Sequence, residues 1–512
     1  MAPLRGIRSD FARWRARRAV PASPRPSGAA PRVVILGAGM SGMCAAIELR
    51  EAGVHDITIL DRSDGVGGTW RDNHYPGSAC DVPSHLYSFS FARNPDWSRK
   101  FSPQAEILAY FEKVARDYDL LPLCRFGVEV TRATWVEDRA VWRVDVADGE
   151  PIEAEVFIAA TGQLNRPYIP DLPGLDSFEG TTFHSARWDH DHDLSGERVA
   201  VVGNGASAVQ FVPHVVRDAA AVTVYQRSAN WIIEKPDREF RPWERFAFRH
   251  VPGWDLAYRF SIWARFETRF TLMRRRSLLR KLVTRLAIPE YEKLVAKGLP
   301  RAAVIPDYPI GCKRILISND YWPALLKPTS KVVTHPIARV HPHAVETADG
   351  TVHPTDTIIF GTGFQTTKFL TPIEVRGRDG VDLHEEWAKG ASAHLGMSIS
   401  GFPNLFVLYG PNTNLGHNSI IFMTERQVEY VVQCVVDLWR SGAKWMDVRP
   451  EVMQRSDAEV QRLAEDTVWV AGCDSWYKTE EGRLTNNWPD HTYNYWRATL
   501  DSGIADYEVS RG

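Results

Sequence analysis

Two glycine-rich turns, each set between an apolar strand and a helix, constrain this chain more than any other feature. The first lies in "RVVILGAGMSGMCAAIELREAG" and runs Gly37-Ala38-Gly39-Met40-Ser41-Gly42. The second lies in "ERVAVVGNGASAVQFVPHV" and runs Gly203-Asn204-Gly205-Ala206-Ser207-Ala208. In such a unit the first glycine (Gly37, Gly203) makes the tight turn, and the second (Gly39, Gly205) lets a pyrophosphate approach the backbone. A third small residue, Gly42 in the first unit, lets the helix pack close, and the helix N-terminus faces the phosphates. The chain is therefore expected to be α/β, with two Rossmann-like dinucleotide-binding domains.

The two units carry opposite charges at the same offset. The second strand of the first unit, "DITIL", ends at Asp61, and that of the second, "AVTVYQRS", reaches Arg227; each lies 24 positions after its first glycine. A carboxylate accepts hydrogen bonds from a ribose diol and repels a 2′-phosphate, whereas a guanidinium suits that phosphate. The first unit is thus predicted to hold FAD and the second NADPH. Both units close on a short strand followed by Thr-Gly, in "VFIAATG" and "TIIFGTGF". A hydride donor and a flavin on one chain imply a reductase or a monooxygenase.

Composition narrows the remaining classes. At 512 residues, with 44% hydrophobic and 24% charged residues, the chain has the make-up of a globular protein of two or three domains. Its net charge of -2 gives no global pull toward nucleic acid or an anionic membrane. The six cysteines are scattered, with no CxxC pair and no histidine at zinc-ligand spacing. They read as reduced thiols of a cytoplasmic protein without a metal. Residues 1–30 form an arginine-rich segment ending in a Pro/Ser/Ala linker, read as a mobile basic tail with no apolar signal region.

Between the first Thr-Gly turn and the second glycine loop lies "FEGTTFHSARWD", with Phe178, Gly180, His184, Trp188 and Asp189 spaced through polar filler. This string resembles the signature of the type I Baeyer–Villiger monooxygenases, a group of class B flavoprotein monooxygenases. A second stretch, "GGTWRDNHYPGSACD", is similar to that family's other pattern through Gly67, Gly68, Trp70, Tyr75, Pro76, Gly77 and Asp81. The resemblance runs from about residue 32 to about residue 507. It implies that the signature string sits at the hinge of the NADP domain and couples domain position to catalysis. Gly68 and Trp70 would belong to the flavin site.

The resemblance also assigns the chemistry. Reduced flavin and O₂ would give a C4a-peroxide that must stay deprotonated to attack a ketone, which calls for a fixed cation in a water-shielded site. Arg314, in "DYPIGCKRILISNDYW", is the residue the resemblance puts there, with Asp81 facing and orienting it. Lys313 would join Arg227 and Ser228 at the NADPH 2′-phosphate, and Ser207 of the second loop would also bind cofactor. Asn418 and Ser419 open a long helix whose N-terminus would face the flavin pyrimidine. Trp476, in "GCDSWYKTEEGR", would lie on a loop closing over nicotinamide and substrate.

The expected layout is a split FAD domain (31–165 and 369–512), an NADP domain (166–233 and 311–368) and a helical insertion (234–310) forming one wall of the substrate site. The insertion is rich in aromatics and arginines, among them Arg274, Arg275 and Arg276. The expected reaction is NADPH- and O₂-dependent conversion of a ketone to an ester or lactone by a monomer or weak oligomer. Membrane contact, if any, would be made by the basic tail or the insertion. Two other readings share the scaffold: oxygenation of sulfur or nitrogen, and a non-oxygenating NADPH oxidase or redox-sensing flavoprotein. Loss of Arg314 or Asp81 would favour the last, and both are present.

Overall fold

The computed structural model describes residues 29–470 and 475–510. The expected basic tail therefore lies almost wholly outside the described residues. Two five-stranded parallel sheets organise the rest. In the first, the order across the sheet is Leu405–Val407, Val156–Ala159, Val33–Leu36, Ile57–Leu60 and Cys124–Arg125. In the second it is Ser330–Val333, Ala221–Tyr225, Arg198–Val202, Thr357–Phe360 and Thr181–His184.

The central strands are apolar on both faces. Val33–Leu36, Val156–Ala159 and Thr357–Phe360 are buried at every position. Burying a valine, isoleucine or leucine contributes about 1.5–3 kcal/mol, against a span of ~1 kcal/mol for intrinsic strand preference. Burial on two faces therefore fixes these strands, with helices covering one face of each sheet and strands of two smaller sheets the other. In the first sheet the covering helices include Met40–Glu51 and Ile420–Ser441, which pack on each other. The strand Leu405–Val407 and that long helix bring the C-terminal third of the chain back to the sheet begun at Val33.

The two glycine turns are built alike. Gly37 N–H donates to Leu60 O at 2.7 Å and Gly203 N–H to Tyr225 O at 2.9 Å. Both glycines have positive φ, 112° and 103°. A Cβ on Gly37 would lie 2.5 Å from Ala160 O, and one on Gly203 would lie 2.5 Å from Gly361 O. In each unit the Thr-Gly strand thus presses its carbonyl against the first glycine, and no larger residue fits either turn.

Between residues 234 and 310 four helices follow one another: Pro242–His250, Trp254–Met273, Leu278–Ala296 and Arg301–Val304. Two small sheets complete the fold. One is an antiparallel meander of Ile337–His341, Ala344–Thr347 and Val352–Pro354; the other joins Glu374–Arg376 to Val130–Val136, Val141–Val146 and Ile152–Ala154.

One sequence expectation is corrected. Cys44, Cys80, Cys124 and Cys434 are free thiols, but Cys312 is disulfide-bonded. Spacing along the chain tests local pairs only, and the sequence displays no others.

Candidate functional site

A long cleft runs along the C-terminal edge of the first sheet. Gly37, Gly39, Asp61, Gly68, Trp70, Asp81, Ser207, Arg314 and Asn418 all line it. At one end Asp61 is held by backbone donors, with Oδ2 accepting from Ala38 N–H at 2.7 Å and Oδ1 from Ser63 N–H at 2.8 Å. Next to it two bare backbones face each other: a Cβ on Gly68 would come 3.0 Å from the Gly39 Cα. The two backbones touch, and the cleft surface they form at the N-terminus of Met40–Glu51 carries no side chain, so a pyrophosphate can approach it. Trp70 closes the wall, its indole N–H donating to Tyr87 Oη at 3.1 Å.

At the other end stands Arg314. Its Nε donates to Asp81 Oδ2 at 2.8 Å, and Nη2 lies 2.5 Å from the same oxygen. The guanidinium is half-buried, with its open side toward the cleft. The carboxylate of Asp81 raises the Arg314 pKa above its ordinary value, outweighing the opposite effect of burial. The cation is therefore fixed at any working pH.

The segment holding Arg314 is anchored from both sides. Leu316 N–H donates to Trp231 O at 2.8 Å, starting a two-residue parallel pairing of Leu316–Ile317 with Ile232–Ile233. On the other side Trp469 Nε1 donates to Gly311 O at 3.0 Å. Tyr409 also lines the cleft, and Tyr477 is buried with its hydroxyl pushed up to about 12 by burial. Both bear electrostatically on Arg314. Neither tyrosine carries a motif in the sequence, so nothing there marks them.

The candidate NADPH residues form a second group. Lys313 Nζ donates to Ser228 Oγ at 3.1 Å, and the Ser228 carbonyl accepts from Asn204 Nδ2 at 2.9 Å. Arg227 is exposed beside them. Gly203, Gly205, Arg227, Ser228 and Lys313 lie outside the lining of the first cleft, whereas Ser207 reaches into it. The helix Ala206–Asp218 thus starts between the two groups.

That helix is also gripped by the second motif. Tyr75 Oη donates to Gln210 Oε1 at 2.9 Å, and Gln210 Nε2 donates to Ala79 O at 2.9 Å. A Cβ on Gly77 would lie 2.7 Å from both Gln210 O and His214 Nε2. The "YPG" stretch is therefore a close contact between the two nucleotide units.

The signature string packs against the same helix from the other side. Trp188 is buried between Phe183 and Phe211, with ring centroids 5.2 and 5.3 Å away. His184 is buried, and its Nδ1 accepts from Ala186 N–H at 3.0 Å. Burial lowers its pKa to about 4, so the ring is neutral. Phe178 packs into the core beneath the second sheet, and a Cβ on Gly180 would lie 2.0 Å from Asp356 O. Asp189 is exposed, accepting from Asp191 N–H at 3.0 Å. None of these five residues lines the cleft.

The helix Ile420–Ser441 begins at the cleft, with Asn418 and Ile420 in the lining and Ser419 as N-cap. Asn418 Oδ1 accepts from Ser419 N–H at 2.8 Å, while Nδ2 donates to Glu267 Oε1 at 2.7 Å. Glu267 comes from Trp254–Met273 and also accepts from Thr492 Oγ1 at 2.6 Å. Residues 234–310 supply no residue to the lining of this cleft, and Glu267 braces it from behind. Trp476 is 37% exposed and packs against Tyr477 at a tilt of 53°, with centroids 4.4 Å apart.

Comparison with known proteins bears on this arrangement. A family model described as pyridine nucleotide-disulphide oxidoreductase matches residues 34–253. A Streptomyces coelicolor protein named Baeyer-Villiger monooxygenase is 42% identical over 482 residues, covering 94% of this chain and 93% of its own. A Pseudomonas aeruginosa protein of the same name is 41% identical over 498 residues, covering 96% and 94%. A crystal structure of OTEMO in complex with FAD and NADP superimposes with a TM-score of 0.83 at 26% identity, covering 94% of this chain and 100% of that one.

Proposed function

Because this chain belongs to the Baeyer–Villiger monooxygenases, we propose that Arg314 and Asp81 are the pair that makes its oxygenation nucleophilic. The protein is an FAD-containing, NADPH-dependent monooxygenase that converts a ketone to an ester or lactone. FAD, reduced by NADPH, supplies the activation of O₂. The residues of this chain bind the cofactors, orient them and fix the charge around the reacting oxygen.

The ion pair of Arg314 with Asp81 inside the cleft is the observation that carries this reading. A guanidinium holds its charge when buried, and its remaining donors are free to stabilise an oxyanion in a site screened from water. Asp81 restrains the side chain through Nε and Nη2, leaving Nη1 for the reacting oxygen. The two bare glycine backbones at Gly39 and Gly68 would hold the FAD pyrophosphate, and Asp61 the adenosine ribose. The Asn418–Ser419 helix start would favour the reduced, anionic flavin ring. Arg227, Ser228 and Lys313 would take the 2′-phosphate of NADPH. The buried signature string, seated on the same helix as the "YPG" contact, would couple movement of that nucleotide unit to the cleft. Trp476 would cover the nicotinamide and substrate. Dependence on NADPH supports a cytoplasmic location.

The test is Arg314→Ala. We expect yellow protein that NADPH still reduces, with ester formation down on the order of 10²–10³-fold and hydrogen peroxide released instead. Substantial ester formation by this variant would remove Arg314 from the chemistry. Wild-type protein that consumes NADPH and yields only peroxide across linear, cyclic, aryl and steroidal ketones would favour the oxidase reading.

A further inference from the structure

The helix Leu278–Ala296 turns an apolar stripe outward. Leu278, Leu279, Leu282 and Leu286 are 78%, 48%, 54% and 66% exposed. At 3.6 residues per turn these four leucines fall within an arc of about 100°. Lys281 and Arg285, also exposed, run along one flank of it. The inner side packs down, with Arg280 and Tyr291 buried and Tyr291 Oη donating to Ile232 O at 2.8 Å. A helix at the surface of a globular protein ordinarily buries its leucine stripe, and contiguous exposed apolar area marks an interaction surface.

The turn before this helix adds charge in a fixed shape. Arg274, Arg275 and Arg276 are exposed. The buried Arg280 guanidinium donates to Arg274 O at 2.7 Å and to Arg275 O at 2.6 Å, and Ser277 Oγ accepts from Arg280 N–H at 3.1 Å. From Thr268 to Pro289 the chain carries seven cationic side chains and no carboxylate. The first turn of the helix has no acidic residue, where the helix dipole would favour one. Arg274 lies 3.7 Å from Asp466, which leaves Arg275, Arg276, Lys281 and Arg285 to face outward.

We propose that this face docks on an anionic bilayer surface. The leucines enter the boundary between headgroups and acyl chains, and the four outward cations meet lipid phosphates. Charge selects this occupant over a second copy of the chain, because a symmetric contact would press two predominantly basic faces together. A leucine stripe beside a cationic flank is also what holds a helix in the plane of a membrane interface. Among the described residues no helix is long and apolar enough to cross a membrane, so the contact is peripheral. For an enzyme acting on an apolar ketone, docking brings the site to the phase in which such a substrate concentrates; the docking itself does not depend on that reaction.

The full-length, FAD-loaded protein is sedimented with phosphatidylcholine vesicles, and with the same vesicles doped with phosphatidylglycerol. We expect binding to the doped vesicles on the order of tenfold or more above that to phosphatidylcholine alone, reversed by raised salt. The triple variant Leu278→Ser/Leu282→Ser/Leu286→Ser and the double variant Lys281→Glu/Arg285→Glu should each lower that binding about tenfold. Both should keep their FAD, their melting temperature and their turnover of a water-soluble ketone. Absence of binding overturns the proposal, and so does equal binding by both variants, which would put the contact elsewhere, the basic N-terminal segment included. A dimer that the leucine substitutions dissolve would show that a second copy covers this face, and would overturn it too.

Discussion

Glu267, in the middle of the helix Trp254–Met273, accepts a hydrogen bond at 2.7 Å from Asn418, which stands at the mouth of the cofactor cleft 151 positions later. Thr492 Oγ1 and His491 Nδ1 meet the same carboxylate at 2.6 and 3.2 Å, and His417 Nε2 lies 3.7 Å away. One buried carboxylate thus ties the helical region to the start of Ile420–Ser441 and to the C-terminal segment. Burial alone would raise its pKa, but the donors around it prevail and hold it well below the usual carboxylate range.

Removing that carboxylate should loosen the cleft from behind. Glu267→Ala leaves buried donors without an acceptor and should destabilise the protein by about 2–4 kcal/mol, with loss of bound FAD on dilution. Glu267→Gln should retain most of both. Because the folded pKa is depressed, the contribution of this carboxylate is complete above its unfolded value of about 4.3 and fades as pH falls below that. The gap in melting temperature between wild type and the Gln variant should therefore shrink on acidification below about pH 4. A gap independent of pH would show that the charge does not matter.

Asp81 shares its carboxylate with Arg314, and Asp81→Asn should separate orientation from charge. The cation remains, but its partner becomes a neutral acceptor, so the guanidinium is less restrained. Ester formation should fall about 10–100-fold while NADPH consumption continues, with more of it diverted to hydrogen peroxide. Comparing ester with peroxide per NADPH consumed measures this, and unchanged coupling would mean that Asp81 does not hold Arg314 in place.

The nucleotide units were legible in the sequence because their geometry admits so few residues. A turn with φ above 100° and a carbonyl 2.5 Å from a would-be Cβ accepts glycine alone, at residue 37 and again at residue 203. The charge at Asp61 and Arg227 could be read for the same reason, as its offset follows from strand and helix length. Arg314 and Asp81 are 233 positions apart, and only the family resemblance joined them. Glu267 escaped notice altogether: within "FETRF" it looks like one more charge on an aromatic helix, and its buried partners lie far along the chain. The small sheets went unread because strands of three to seven residues with one exposed face offer little periodicity. Cys312 was misjudged on spacing, which carries no information about distant pairs.

Specificity for NADPH over NADH should reside at Arg227. The side chain is exposed, next to the pair of Lys313 with Ser228, so its removal costs the fold little. Arg227→Ala should raise KM for NADPH on the order of 10–100-fold, the worth of a charge-assisted contact to phosphate, and leave KM for NADH nearly unchanged. Equal losses for both nucleotides would assign Arg227 to the fold rather than to the phosphate.

Asp447 gives a stability prediction of opposite sign to that of Glu267. It is 6% exposed in the strand Trp445–Val448, and burial raises its pKa to about 7 despite the Gly401 N–H donated to it at 3.0 Å and Arg378 at 4.0 Å. Between the unfolded value of about 3.9 and the folded value the native protein keeps a proton that the unfolded chain releases. Stability should therefore fall as pH rises across that window, by an amount on the order of a few kcal/mol. Asp447→Asn keeps an acceptor for Gly401 and has no proton to lose. It should match or trail wild type at pH ~5 and melt at the higher temperature at pH ~8. Thermal unfolding of both proteins across that range decides it, and parallel curves would place the ionisation of Asp447 outside the window.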